Sequence, residues 1–200
     1  MALATQGLIL AHESVPVGPA LVVSIIAAAS GLLGAKLWYA FLHPGPWRRA
    51  LLGGWAVDGF FVVAFGVALV GLVASGQPIG VFLDAATPGL FLAVAIGRVG
   101  CFLAGCCAGR PTCTRWGIWS SDRRVGARRL PTQLLESGAG LVIGVAAAAL
   151  VLGHVVRVEG AVFVAACAAY MLVRQVLLRL RAERREFSWR RSMASAGERA

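Results

Sequence analysis

The sequence predicts an all-α fold, a polytopic membrane bundle of about five transmembrane helices, and three observations predict it. Of the 200 residues, 58% are hydrophobic and only 14% charged, with a mean hydropathy of +0.78. An ordinary soluble domain runs near 45–50% apolar and about 25% charged. The apolar residues fall in stretches long enough to cross a bilayer, which takes roughly 20 residues at about 1.5 Å of rise each. The 25 glycines, with runs such as Ala146–Ala149, supply the small side chains that let helices approach closely in lipid. Against this apolar background the formal charge is +10, and it is lopsided. Residues 1–100 hold 4 basic and 3 acidic groups, whereas residues 101–200 hold 15 and 6. A soluble enzyme, a disordered chain and a disulfide-stapled miniprotein are all excluded.

The five spans are expected at about 18–42, 55–75, 79–104, 134–153 and 160–179. Transmembrane strands would show alternating segments of roughly 10 residues, and no such alternation is present. The first 35 residues carry no Lys or Arg, so no signal-peptide n-region is expected, and residues 1–15 are too polar to insert. Span one carries Gly31, Gly34 and Ala35, a small-residue face for helix packing. Residues 1–182 are expected to form one helical domain. The basic tail, 183–200, is expected to be disordered or to lie among lipid headgroups. No nucleic-acid recognition motif accompanies its charge.

Loop arginines suggest an orientation. Arg48 and Arg49 follow span one, and Arg110, Arg115, Arg123, Arg124, Arg128 and Arg129 follow span three. Arg181, Arg184, Arg185, Arg190 and Arg191 follow span five, and the short loops of the other face hold only Arg157. The positive-inside tendency puts the arginine-rich face in the cytoplasm.

Ionisable groups inside spans are costly and mark function by default. Arg98 lies near the end of span three, Asp58 just inside span two, and Gln133 and Glu136 open span four. Arg174 follows Tyr170 by one turn in span five, and Tyr39 and His43 close span one. Up-and-down alternation gathers all of these at one membrane face. Asp84 falls at the other end of span three, about 21 Å from Arg98 along the helix, too far to be its partner. Arg98 paired with Asp58 or Glu136 is either a bundle staple or half of an anion site. Arg174 either snorkels to the interface or completes that site. Two arginines on different helices with a carboxylate between them suit a phosphate, which the planar guanidinium binds bidentately. His12, His43 and His154 carry no partner that the sequence identifies.

Four segments in order carry a resemblance. GRVGCFLAGCCAGR (97–110) resembles the G-R-x-G-N-F-x-N-x-E-x-x-G-R signature of the prolipoprotein diacylglyceryl transferase family. GLLGAKLWYAFLHP (31–44) looks like its G-A-R-x-x-Y-V-L segment, RLPTQLLES (129–137) like R-H-P-[ST]-Q-L-Y-E, and AAYMLVRQVLLRLR (168–181) like Y-G-x-x-R-x-x-x-E-x-x-R. The resemblance implies transfer of a diacylglyceryl group from phosphatidylglycerol to the lipobox cysteine of a prolipoprotein signal peptide. It implies a multi-pass protein of the plasma membrane, with no cofactor, no metal and no nucleic acid. Gly97, Arg98, Gly100 and Gly109 match the signature; Arg174 and Tyr170 match the last helix; Gln133 and Glu136 match the P-[ST]-Q segment. It implies Arg98 and Arg174 on the lipid phosphate, with Tyr170, Gln133 and the three glycines beside the substrate. Arg98, Glu136 and Asp58 are the expected catalytic residues.

The chain also departs from the pattern. The family's His-Gly-Gly aligns with Asp58-Gly59-Phe60, so Asp58 stands where a histidine base is expected. Cys101 and Cys106 replace the signature Asn and Glu, and Leu130, Leu135 and Leu178 replace a His, a Tyr and an acidic residue. The family's first and last membrane helices are expected to be missing. Its site opens to the outer face, opposite to the orientation that the loop charges suggest. Cys101, Cys106, Cys107 and Cys113 crowd into one loop with no standard zinc spacing. They are open to reading as disulfides, as inert or free thiols, as a metal or redox centre, or as a nucleophile.

Overall fold

The computed structural model of the chain describes residues 2–13, 15–43, 53–119 and 128–180. The arginines at 48, 49, 123 and 124 and all residues from 181 on, the basic tail 183–200 among them, lie outside the described residues. Each of the five expected spans is a helix whose ends lie within two residues of expectation: α2 (Val17–Leu42), α3 (Val57–Ala74), α4 (Ile79–Leu103), α5 (Thr132–Leu152) and α6 (Ala161–Leu180). Four are long and apolar enough to cross a membrane, and the apolar stretch Asp58–Ala74 is shorter. Leu37 and Phe41 are 71% and 81% exposed. On a water-soluble monomer such faces would form an unusually large apolar patch, whereas in a bilayer they meet lipid.

Two elements go beyond the expected spans. A short helix, α1 (Ala2–His12), occupies residues read as too polar to insert, and at 11 residues it is about 16 Å long, half of what a span needs. A two-stranded antiparallel ribbon pairs β1 (Ile118–Trp119) with β2 (Arg128–Arg129) in the register Ile118 to Arg129 and Trp119 to Arg128.

Three helices leave their last turn in the same way. The Gly76, Gly105 and His154 N–H groups bond back to Val73, Phe102 and Val151. Those of the next residues, Gln77, Cys106 and Val155, reach Leu72, Cys101 and Leu150, all at 3.0–3.2 Å. This double closure needs a left-handed residue, and the φ values are 63° at Gly76, 70° at Gly105 and 46° at His154. Glycine adopts it freely, whereas histidine does so under strain.

The chain divides into two compact units, one of residues 1–90 and 144–166, the other of 91–143 and 167–200. In the first, α2 and α3 meet through glycines. A Cβ on Gly34 would lie 2.5 Å from Val63, and one on Gly59 would lie 2.6 Å from the Gly34 carbonyl. Close backbone approach of this kind replaces hydrophobic drive between helices in lipid. Ile9, Leu10, Ala20, Val23, Leu72, Phe82, Ala85, Ala147, Val151 and Val162 form the buried cluster. The N-terminus of α1 sits against α4 at its internal Pro88, where a Cβ on Gly89 would lie 2.6 Å from the Ala2 carbonyl. Asp84 is buried here, and its carboxylate accepts the Gly160 N–H at 2.7 Å and the Phe163 N–H at 2.9 Å. It caps the start of α6, matching a negative charge to the positive end of the helix.

In the second unit, α5 opens on Pro131, whose carbonyl accepts the Leu134 and Leu135 N–H groups at 3.0 and 3.1 Å. Ser137 donates to the Ala95 carbonyl at 2.8 Å, joining α5 to α4. The loop between α4 and α5 is laced by main-chain bonds from Gly109 to Leu130 and from Leu130 to Arg110, both at 3.1 Å. Its Arg110 N–H caps the Leu180 carbonyl at the end of α6, at 3.0 Å.

Candidate active site

Glu136, one turn into α5, is the centre of the second unit. Its side chain is only 3% exposed. Arg98 of α4 reaches Oε1 through Nη2 at 2.8 Å, Arg174 of α6 reaches the same oxygen through Nη1 at 2.9 Å, and the Tyr170 hydroxyl donates to it at 2.7 Å. Three helices therefore converge on one carboxylate oxygen. A buried carboxylate without such partners would lose more in solvation than any single bond returns. The two arginines stay partly open, at 17% and 35% exposure. Phe91 packs edge-on to Tyr170, with ring centres 5.5 Å apart, which fixes the hydroxyl.

Among the described residues the cluster sets two positive charges, Arg98 and Arg174, against the one negative charge of Glu136, a net of one positive charge. Each guanidinium has five N–H donors, and among the described residues the ion pairs to Glu136 engage Nη2 of Arg98 and Nη1 of Arg174. The arrangement is suited to an anion with several oxygens.

Gln133 is buried and donates its amide to the Cys106 carbonyl at 2.7 Å, while the Thr132 hydroxyl donates to the Cys107 carbonyl at 3.3 Å. The first turn of α5 thus holds the cysteine loop. Gly109 lies where a Cβ would be 2.6 Å from the Leu130 carbonyl. Among the described residues, Gly97 and Gly100 instead face open space on α4, with nothing within 4 Å of where a Cβ would stand. Asp58 is exposed in the first turn of α3, in the other compact unit, and makes no ion pair among the described residues.

All five cysteines are free thiols in the structure. Cys107 takes a left-handed backbone, with φ of 59°. The Cys106 side chain reaches solvent, but its sulfur donates to the Cys101 carbonyl at 3.6 Å. Partial desolvation first, and the neighbouring Cys101 and Cys107 thiols second, push its pKa up to about 11. A thiol held protonated at neutral pH is a poor nucleophile.

Some residues became visible only in three dimensions. Arg129, one of the loop arginines after α4, lines a small cleft with Phe102, Trp119 and Gln133. Its Nε is buried with no hydrogen-bond partner among the described residues. Its place at the head of RLPTQLLES was the available signal. Thr132 and Ser137 carry none beyond their place beside Gln133 and Glu136.

A family profile described as prolipoprotein diacylglyceryl transferase matches residues 11–196. The chain is 33% identical over 172 residues to phosphatidylglycerol–prolipoprotein diacylglyceryl transferase 2 of Streptomyces coelicolor, covering 76% of this chain and 53% of that protein. It is 33% identical over 125 residues to the protein of the same name from Clostridium perfringens, covering 57% and 48%. With the Dehalococcoides mccartyi transferase it shares 39% identity over 100 residues, covering 44% and 36%. The chain thus spans about half the length, or less, of these relatives. With the profile running through nearly its whole length, the chain belongs to the prolipoprotein diacylglyceryl transferase family.

Proposed function

We propose that the chain transfers a diacylglyceryl group from phosphatidylglycerol to the lipobox cysteine thiol of prolipoproteins in the plasma membrane. The observation that carries this reading is the convergence of Arg98 and Arg174, from separate helices, on the buried Glu136. A phosphodiester can approach the partly open guanidiniums and neutralise their surplus charge. In the reaction the thiol sulfur bonds to the glyceryl carbon and the carbon–oxygen bond to phosphate breaks. Glycerol-1-phosphate leaves with the electron pair, and the thiol proton passes to a base. Arg98 and Arg174 stabilise the charge that grows on the leaving phosphate. Glu136 and Tyr170 hold the arginines in place, and Gln133 and Gly109 hold the loop beside them. Gly97 and Gly100 leave the α4 surface bare for an acyl or glyceryl chain.

Proteoliposomes test this directly. With phosphatidylglycerol and a lipobox peptide, the protein should produce a peptide heavier by one diacylglyceryl group. Phosphatidylcholine should give none. Arg98→Ala and Arg174→Ala should each lower turnover by about 100-fold or more, the scale of losing a charge-stabilising donor. Full turnover by Arg98→Ala would sink the phosphate assignment. Saturable phosphatidylglycerol binding with no product would instead assign the fold to lipid binding. We infer from the family that the α4–α5 loop faces outward; Cys113, exposed in that loop, should then react in intact cells with a thiol reagent that cannot cross the membrane.

A further inference from the structure

We propose that His12, Glu13 and His154 form a binding site for a divalent transition-metal ion of the zinc class. The three residues belong to the compact unit that does not contain Glu136. His12 ends α1, Glu13 follows it, and His154 follows the end of α5. One ligand atom from each lies within 4.8 Å of the others. His154 Nδ1 and Glu13 Oε1 are 3.4 Å apart, and the two imidazole rings are stacked with centres 5.3 Å apart. Ligands of a tetrahedral zinc ion, at roughly 2.0–2.1 Å from the metal, stand about 3.3 Å from one another. One edge of that tetrahedron is already present, and the His12 ligand atom, within 4.8 Å of the other two, has under 2 Å to close on each remaining edge. Two imidazoles and a carboxylate suit zinc, cobalt or nickel better than magnesium or calcium, which prefer all-oxygen sites.

Two further features support the site. Glu13 is 21% and His154 59% exposed, so an ion can enter from solvent and keep a water as fourth ligand. His154 also occupies the left-handed helix-closing position that α3 and α4 give to Gly76 and Gly105. The strain of a histidine there is offset once its ring is a ligand. The bound ion would pin the end of α1 to the connection between α5 and α6.

The test uses the full chain, purified with a tag free of histidine and with its thiols alkylated so that the cysteine loop cannot compete. It is titrated with Co2+ and then with Zn2+. One Co2+ per chain should bind with the visible absorption of low coordination number, and Zn2+ should displace it. His12→Ala and Glu13→Gln should each weaken binding at least 10-fold. His154→Gly should abolish it while keeping the fold, since glycine suits that backbone. Zn2+ should raise the melting temperature of the parent protein and not that of His154→Gly. Equal affinity in a His12→Ala/His154→Gly double variant, or no saturable Zn2+ binding by the parent, overturns the proposal.

Discussion

Replacing Glu136 by Gln keeps the shape of the side chain and removes the charge on which three helices meet. In the parent protein Oε1 takes two guanidinium bonds at 2.8 and 2.9 Å and one hydroxyl bond at 2.7 Å. Bonds to charged groups contribute about 1.5–3 kcal/mol each, and breaking a buried ion pair by removing one partner costs about 3–5 kcal/mol. The arginines are partly exposed, at 17% and 35%, so water relieves some of that loss. A net loss of about 2–3 kcal/mol is the expectation. For a chain of this size it corresponds to a fall in melting temperature of roughly 5–10 °C. The cluster changes from one net positive charge to two, so an anion has more to offer it. Phosphatidylglycerol in the micelle should therefore raise the melting temperature of Glu136→Gln by more than it raises that of the parent. The assay is a thermal ramp in detergent, following the reaction of a fluorogenic maleimide with the thiols as they become exposed. A melting temperature within 2 °C of the parent, with an equal lipid-induced rise, would refute the idea that this carboxylate organises the site.

Three further outcomes are expected. Arg98→Lys keeps the charge but loses the planar fork, and lipid transfer should drop at least 10-fold if bidentate contact to phosphate matters; near-parent turnover in proteoliposomes counts against it. Cys106, with its pKa pushed up to about 11, is almost wholly protonated at pH 8, so its alkylation by iodoacetamide should quicken about 10-fold per pH unit from 8 to 10. Peptide-resolved mass spectrometry reads this, and a plateau by pH 9 contradicts it. Asp84→Asn removes the charge capping the Gly160 and Phe163 N–H groups, and should cost about 1–2 kcal/mol, seen as a fall of roughly 2–8 °C; an unchanged melting temperature means the cap contributes nothing.

Hydropathy made the spans legible, because a bilayer demands length and apolarity and little else can supply them. The arginine pair was legible for the same reason: a cation inside such a stretch is conspicuous, and Tyr170 and Arg174 fall four residues apart on one helix face. Which carboxylate meets Arg98 was not. Asp58 and Glu136 sit at equivalent depths by chain order, and only the packing of α4 against α5 through Ser137 and Ala95 selects Glu136. The partner of Asp84 has no signature in the sequence, because it consists of backbone N–H groups, which every residue carries. The hydrogen bond from Gln133 to Cys106 depends on how a 27-residue separation closes, and no local pattern encodes that. The helix-closing role of His154 was hidden because glycine is the residue by which such a position is recognised.

The hydrogen bond from the Arg110 N–H to the Leu180 carbonyl has a topological meaning. It fastens the last described residue of α6 to the loop that follows α4. A reporter enzyme fused directly to Leu180 therefore leaves the fold beside that loop, in the compartment the loop faces. It reads the sidedness of the loop directly, without counting charges or spans.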